Sequence, residues 1–370
     1  MNATWSERLT TRSWGRWSLV EDGLHFRVDH GEVDPGFYIE PGMLLSLSAY
    51  DEVRNCLRGK RWVREDDINT LSCAISAVQW AWRVETMNDR SGYPGGPMEW
   101  SAYGDLLSAD WRSFLNSSNQ RDESLFQEYL EQRPALLPDP YIAFGGGHNG
   151  LHLGGVVTQP ELPGLRPKRP DFMMLAFDSA NVWALLIEIE APAKKWFNKN
   201  ATPTADLTQA LDQIRQWKQW MDEPGNKAEF RRLYGLDQRP VSWRTLEVRY
   251  ILIYGRRAEF AESENLSKKR GFLAQPDEHL MTFDRLSANW HHLDSLTIKL
   301  DRSGPDTRWR LLSVPPTFAV TQQSAGYIFG LLDREAAIHS SPYLDSNRRQ
   351  LLLDLLPIAD ARTREAPRDD

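Results

Sequence analysis

Two glutamates lie one residue apart in an apolar stretch near the middle of the chain, the segment ALLIEIEAPAKKW at residues 184–196. Alternate side chains of a strand point to the same face, so Glu188 and Glu190 lie together while Ile187 and Ile189 point the other way. Two carboxylates about 7 Å apart repel each other by about 2 kcal/mol at an effective dielectric of about 20. The pattern therefore predicts a compensating cation, although an edge strand with its acids in water, or acids paired with arginine, would also account for it.

A third carboxylate, Asp171, stands seventeen residues before Glu188, at the start of the preceding predicted strand. A hairpin joining residues 172–177 to residues 183–190 would bring the start of the first strand beside the end of the second. Asp171 would then lie near both glutamates. Because Mg²⁺ (or Mn²⁺) takes oxygen ligands, commonly one or two carboxylates with water and phosphate, this spacing predicts a divalent-metal site.

The surrounding elements predict an α/β fold with a central mixed β-sheet flanked by helices. Strand patterns occur in RPDFMMLAF, VWALLIEIE and TLEVRYILIYG, and helical spacing of apolar residues occurs in ESLFQEYLEQ and ADLTQALDQIRQWKQWM. The segment EHLMTFDRL predicts a short strand running into a helix. After residue 290, WRLLSV predicts one more strand and NRRQLLLDLLPIAD a further helix.

The first 110 residues are rich in tryptophan and predict a mixed α+β accessory domain. The segment WSLVEDGLHFRVDHG predicts a hairpin that turns at Asp22 and Gly23, and residues 66–87 predict a long helix. We therefore divide the chain into an N-terminal accessory domain, a central domain and a C-terminal extension, at residues 1–110, 111–290 and 291–370.

Composition limits the classes of partner that the protein can have. The chain has 370 residues, a net charge of −7 and a pI of about 5.7, so contacts with nucleic acid have to come from local basic patches. Its two cysteines, Cys56 and Cys73, are too few for a disulfide scaffold or a Cys-rich zinc site. We expect a cytoplasmic protein with no membrane partner, because the sequence has no secretion signal and no run of about 18 apolar residues.

The dipeptide Pro170–Asp171, followed by Glu188-Ile-Glu190 on an apolar strand, resembles the motif of the PD-(D/E)xK nuclease superfamily. The order and spacing of several further segments resemble the Shedu nucleases, a branch implicated in bacterial defence against phage: ESLFQEYLEQRPALL, RPDF, LIEIEAPAKKWFNKN, LTQALDQIRQW, YILIYGRR and LMTFDRL. The resemblance covers roughly residues 120 to 290. It implies a restriction-endonuclease-like core, metal-dependent cleavage of phage or plasmid DNA, and a homo-oligomer.

By this resemblance Asp171 and Glu188 are metal ligands. Glu190 is a departure, because the superfamily usually has lysine there; a glutamate in that place implies a proton acceptor or a ligand to a second ion. Lys194 and Lys195 follow the strand and are candidates for the missing cation. Lys195 is the better match, since family members often carry a basic residue before the aromatic-Phe pair, here WF; solvated loop lysines are the alternative.

The resemblance also singles out one residue on each of two helices. Gln213 matches a glutamine that the helix after the catalytic strand often lends to the site, although a solvated glutamine is an equally good interpretation. Glu123 matches a helix glutamate that often lies in the outer shell of the metal. An exposed acid that stabilises the first turn of its helix would explain Glu123 as well.

Basic residues form three local groups near the predicted strand ends. Their functional interpretation is contact with DNA phosphates, and solvated charge is the alternative for each of them: Arg166, Lys168, Arg169, Arg256, Arg257, Lys268, Lys269 and Arg270. The residues thus favour a metal-dependent DNA endonuclease. The alternative is a catalytically inactive protein of the same fold that binds nucleic acid or a partner protein, which the altered lysine position supports. For the N-terminal region we expect a role in sensing or gating.

Overall fold

The computed structural model divides the chain into two compact units, one of residues 1–96 with 320–325 and the other of residues 97–319 with 326–370. Each unit is considered by itself. The structure describes residues 15–20, 23–28, 37–39, 97–117, 120–140, 143, 151–164, 167–237, 241–261, 263–303, 308–318 and 331–365.

The described part of the first unit is a three-stranded antiparallel sheet, formed by β1 (Gly15–Val20), β2 (Gly23–Val28) and β3 (Phe37–Ile39). Val20 pairs with Gly23, so the predicted hairpin is confirmed, with Gly23 already in the second strand. The helix predicted at residues 66–87 and both cysteines lie outside the described residues.

The second unit is built on a seven-stranded mixed sheet with the strand order β10-β9-β4-β5-β6-β7-β8. Three neighbouring pairs are parallel (β4 with β9, β6 with β7, β7 with β8), and the other three are antiparallel. The α/β prediction with a central mixed sheet is confirmed. The strands are β4 (Gly155–Thr158), β5 (Phe172–Phe177), β6 (Asn181–Ile189), β7 (Thr245–Ile253), β8 (Glu278–Met281), β9 (Leu296–Asp301) and β10 (Arg308–Ser313).

Helices flank this sheet, and the predicted ones begin at side-chain caps. Asp122 accepts a hydrogen bond from Ser124 N, and Thr204 Oγ1 accepts one from Leu207 N, so each cap satisfies an otherwise free amide of the first helical turn. The described helices are α1 (Trp100–Leu115), α2 (Glu123–Glu131), α3 (Ala205–Asp222), α4 (Pro224–Leu233), α5 (Glu264–Gly271), α6 (Arg334–Ser340) and α7 (Ser346–Glu365).

The two faces of β6 have different neighbours. Leu185, Ile187 and Ile189 belong to a buried core that includes Trp111 of α1 and Phe126 of α2. The residues between them point to the opposite face, where α3 lies with its own apolar side buried. The alternation expected from the sequence therefore places Glu188 on the face of α3, where its side chain contacts Gln213.

The second unit includes elements on both sides of the central domain predicted at residues 111–290. Helix α1 spans the boundary expected at residue 110, and β9 and β10, which follow residue 290, pair with the rest of the sheet. Gly155 permits this pairing, because a Cβ atom there would lie 2.2 Å from the carbonyl oxygen of Leu296 in β9. Strand β8 is followed by a 3-10 helix of three residues, Phe283–Arg285.

One edge of the sheet collects the ends of several strands. Strands β6, β7 and β8 are parallel, so their carboxyl ends lie at the same edge, and the antiparallel β5 begins there. In open α/β sheets, ligands bind in the crevice outside the carboxyl ends of strands. The candidate site should therefore lie at this edge.

Candidate active site

Three carboxylates meet where β5 begins and β6 ends. Phe172 pairs with Ile187 in the antiparallel β5–β6 ladder, so Asp171, which precedes β5, lies opposite Glu188. The carboxyl groups of Asp171 and Glu188 are within hydrogen-bonding range of each other, and both experience the charge of Glu190. The predicted hairpin is confirmed, and these three acids are called the carboxylate cluster below.

Asp171 is held through its side chain and its backbone. Its Oδ2 accepts a hydrogen bond from Ile189 N at 2.8 Å, which ties the start of β5 to the end of β6. Its carbonyl oxygen accepts hydrogen bonds from Gln159 N at 2.7 Å and from Gln127 Nε2 of α2 at 3.3 Å. Gln127 also donates to Thr158 Oγ1 of β4 at 3.2 Å, so one side chain of α2 contacts both strands.

Glu188 is the most enclosed acid of the cluster, with 6 % of its surface exposed. Its Oε1 accepts a hydrogen bond from Gln213 Nε2 of α3. Its Oε2 is buried and accepts no hydrogen bond from any group in the described part of the chain. A buried carboxylate oxygen without a donor is unfavourable, so Glu188 is stabilised by a proton shared with the nearby carboxyl group of Asp171, or by a cation that replaces that proton.

Glu190 is paired with a lysine four residues further along the chain. The Nζ of Lys194 contacts Glu190 Oε2 and also lies 3.4 Å from Glu123 Oε2, at the start of α2. The backbone of Glu190 is fixed as well, because its N–H donates to the carbonyl of Ile253 at 3.0 Å. Glu123 and Lys194 thus form an acid–base pair at the rim of the carboxylate cluster.

The pKa values of the cluster reflect burial and mutual repulsion. Burial raises the pKa of Asp171 to about 7, and the negative charges of Glu123 and Glu190 act in the same direction. The hydrogen bonds with the N–H of Ile189 and with Glu188 lower that pKa and oppose the shift. Burial also raises the pKa of Glu190 to about 7, although Lys194 opposes that shift. The pKa of Glu188 is well above its usual range, because of burial first and the charge of Asp171 second. Three acids that hold protons near neutral pH are poised to exchange them for a cation.

The cluster offers the donor set that a hard divalent cation requires. All of the atoms that could bind a metal ion in the cluster are carboxylate oxygens, and Glu188 Oε2 lacks a hydrogen-bond partner among the described residues. No three Asp, Glu, His or Cys side chains of the described residues are already arranged as a metal-binding group. Two carboxylates suffice for Mg²⁺, since water and phosphate commonly complete its coordination. The residues therefore fit such an ion, with Asp171 and Glu188 as its ligands.

The segment that follows Glu190 determines which lysine reaches the cluster. Gly255, which follows β7, has φ of +59°, and a Cβ atom there would lie 2.8 Å from the carbonyl oxygen of Lys194 and 2.7 Å from Nε1 of Trp196. Trp196 is fully buried and donates to the carbonyl of Tyr254 at 3.0 Å. This packing directs Lys194 to Glu190, whereas the side chain of Lys195 is exposed to solvent.

Of the residues predicted for chemistry, Gln213 and Glu123 reach the carboxylate cluster and Lys195 does not. Lys195 contributes its carbonyl oxygen to Thr204 and Tyr254 instead. Sequence reasoning also missed Gln127, which buttresses Asp171. Its spacing of four residues from Glu123 on one helix was the available signal, because such residues share a helix face.

Most of the predicted DNA-binding residues have partners within the protein. Lys168 donates to Gln216, Arg169 pairs with Glu161, Arg256 with Asp284, and Lys268 with Glu264, while Lys269 donates to the carbonyl of Ala201. Arg257 and Arg270 form no ion pair with a carboxylate in the part of the chain that the structure describes. Arg166 lies outside the described residues.

Comparison with known proteins gives a match for this region of the chain. Residues 120–287 match the family model described as "Shedu protein SduA, C-terminal", and this match contains all of the carboxylate cluster. No curated protein matches the chain. The described residues include no helix with the length and hydropathy of a membrane span.

Proposed function

We propose that this protein, whose residues 120–287 match the C-terminal model of the Shedu protein family, is a Shedu-type defence protein and a divalent-metal-dependent DNA endonuclease. One observation carries the proposal. Asp171 and Glu188 bring buried carboxyl groups together at a sheet edge, and Glu188 Oε2 has no donor among the described groups. Phage or plasmid DNA would be the substrate.

The ligands to Mg²⁺ or Mn²⁺ would be Asp171 and Glu188. When bound, such an ion lowers the pKa of its water and neutralises charge on the scissile phosphate. Gln213 holds Glu188 through Oε1 and leaves Oε2 free for coordination. Glu190, whose pKa is about 7, is suited to take a proton from the attacking water at neutral pH.

The position of Lys194 supports the proposal of activity in spite of the glutamate at position 190. Its ammonium group contacts Glu190 Oε2, so a positive charge is present beside the position where the superfamily usually has lysine. In an inactive descendant we would not expect the loop after β6 to bring a lysine back to the acids. The alternative, a catalytically inactive protein of the same fold that binds nucleic acid or a partner protein, is supported mainly by Glu190 at the lysine position.

The test is cleavage of supercoiled plasmid with Mg²⁺ or Mn²⁺. We expect Asp171→Asn and Glu188→Gln to reduce the rate at least 100-fold, and Glu128→Gln, an exposed acid of α2, to leave it unchanged. Binding of Mn²⁺ without DNA, followed by electron paramagnetic resonance, should weaken in the same two variants. Plasmid that stays intact with every metal while the protein still binds it would favour the DNA-binding alternative.

We further propose that the protein acts as a homo-oligomer, which would place paired sites on one duplex. Analytical ultracentrifugation of the full chain tests this directly. A single monomeric species at working concentrations would contradict it.

A further inference from the structure

We infer that Arg257, Arg270 and Arg285 form a binding site for the phosphates of a nucleic-acid strand, on the same sheet edge as the carboxylate cluster. These three residues are called the arginine cluster. The inference rests on the proposed function for the identity of the ligand. It also adds Arg285, which the basic motifs of the sequence did not include.

Two backbone segments bring Arg257 and Arg285 side by side. Arg257 follows β7 and Arg285 follows β8, and these strands are parallel neighbours. Phe283 N donates to the carbonyl of Gly255 at 3.1 Å, and Arg257 N donates to Asp284 Oδ2 at 2.6 Å. The two arginines are therefore held at adjacent strand ends, and both side chains are exposed.

Arg270 reaches the same place from the last turn of α5. Its guanidinium lies over the ring of Phe260 at 4.7 Å and is 5.9 Å from the ring of Trp196. Phe260 ends the 3-10 helix that begins at Arg257, so this contact joins α5 to the segment after β7. A guanidinium packed on aromatic rings loses little further freedom when it binds an anion.

The nearest acid, Asp284, binds the backbone of Arg257 and the side chain of Arg256 and is not paired with the arginine cluster. No carboxylate of the described residues forms an ion pair with any of the three guanidinium groups. Burial, and then the positive charges of Arg285 and Arg257, lower the pKa of Arg270. Three cations that repel one another gain most from an anion that they can share.

The two acids closest along the chain are already engaged. Asp284 accepts hydrogen bonds from Arg256 Nε at 3.1 Å and Nη2 at 3.0 Å, and from the backbone of Arg257. Glu259 accepts hydrogen bonds from the N–H groups of Trp196 at 3.0 Å and Phe197 at 2.9 Å. Arg256 thus holds the fold together, whereas its neighbour Arg257 is left for a ligand.

The location of the arginine cluster suits a strand that passes the carboxylates. Glu259 ties the segment after β7 to Trp196, which lies two residues beyond Lys194. The ends of β6, β7 and β8 thus present acids first and arginines next along one edge. Because the whole chain carries a net charge of −7, a polyanion such as DNA can bind only where basic residues are concentrated, as they are in the arginine cluster.

The experiment measures binding of a fluorescently labelled DNA duplex by the full chain in EDTA, across a series of KCl concentrations. Arg257→Gln and Arg285→Gln should each reduce the slope of log K against log salt by about 0.9, which corresponds to roughly eightfold weaker binding at about 0.1 M salt. The control is Arg215→Gln, an exposed arginine of α3 paired with Asp212, which should change neither quantity. Thermal unfolding verifies that all variants are folded.

The outcomes separate this inference from the proposed cleavage activity. Because EDTA removes the metal, Glu188→Gln should bind DNA in this assay even though it does not cut plasmid. An unchanged salt slope in both arginine variants, or a loss of DNA affinity no larger than that of the Arg215 control, would overturn the inference. So would tight binding of ATP or inorganic phosphate by a wild-type protein that does not bind the duplex, since the site would then serve a free anion.

Discussion

Replacing Glu188 by glutamine should stabilise the metal-free protein at pH 8 while it abolishes cleavage. Glutamine keeps the shape of the side chain and can still accept the hydrogen bond from Gln213, but it carries no charge beside Asp171 and Glu190. The gain should depend on pH. The folded-state pKa of Glu188 lies well above the unfolded value near 4.5. As the pH rises above about 4.5, the unfolded wild type loses this proton while the folded protein keeps it, so the free energy of unfolding falls.

The magnitude follows from the spacing of the acids. Glu188 and Glu190 lie two residues apart on an extended segment, about 7 Å from each other, and two charges at that distance repel by about 2 kcal/mol at an effective dielectric of about 20. Asp171 lies closer to Glu188, so the variant should gain at least about 2 kcal/mol at pH values where Glu188 of the unfolded wild type has lost its proton. In a unit of this size, that gain corresponds to a rise in Tm of about 4–8 °C at pH 8. At pH 5 the cluster holds its protons, because the pKa values of Asp171 and Glu190 are about 7, and the gain should nearly vanish.

The assay is thermal unfolding of the full chain in EDTA at pH 5 and pH 8, with Glu128→Gln as the control that should shift neither Tm. A Tm change in Glu188→Gln that is the same at both pH values would refute the reasoning. It would mean that Glu188 contributes through its hydrogen bond with Gln213 and that its charge does not destabilise the fold. Loss of stability at pH 8 would contradict it more strongly.

Three other substitutions test the parts around the cluster. Gly255→Ala should destabilise the protein by about 1–3 kcal/mol in denaturant unfolding, because of its positive φ and the close approach of Lys194, whereas Gly225→Ala, which has open space around it, should be neutral or slightly stabilising. Lys194→Gln should lower the cleavage rate about 100-fold and raise the pH at which cleavage begins, and equal losses in Lys195→Gln would contradict this choice of lysine. Gln213→Ala should weaken Mn²⁺ binding by about 10–100-fold in a direct titration, and unchanged affinity would show that Glu188 needs no support.

The meeting of Asp171 with Glu188 was predictable because local rules fix it. The turn DSAN between β5 and β6 is closed by Asp178, whose Oδ1 accepts hydrogen bonds from the N–H groups of Ala180 and Asn181, each at 2.7 Å. Such a turn sets the register of the hairpin, and the alternation of side chains then decides which residues share a face. The apolar side of α3 was also predictable, because its apolar residues recur at helical spacing in the sequence.

The choice between Lys194 and Lys195 was not predictable, because contacts distant in sequence decide it. The loop after β6 packs against Tyr254 and Gly255, which lie about sixty residues further along the chain. The same holds for the basic residues: nothing near Arg256 in the sequence shows that its side chain pairs with Asp284, whereas the Arg257 side chain forms no ion pair with a carboxylate of the described residues. Strands β4 and β9 were also missed, since β4 has four residues and its pairing depends on the approach of Gly155 to Leu296.

The pairing of β4 with β9 has a consequence for work on separate pieces of this protein. The family match stops at residue 287, before β9 begins, although the whole length of β4 is paired with residues 296–299 of β9. A fragment cut at that point would leave the amide and carbonyl groups of β4 open to solvent, next to a largely apolar interior. Exposed strands of this kind recruit other chains, so such a fragment should aggregate even though it retains every acid of the carboxylate cluster.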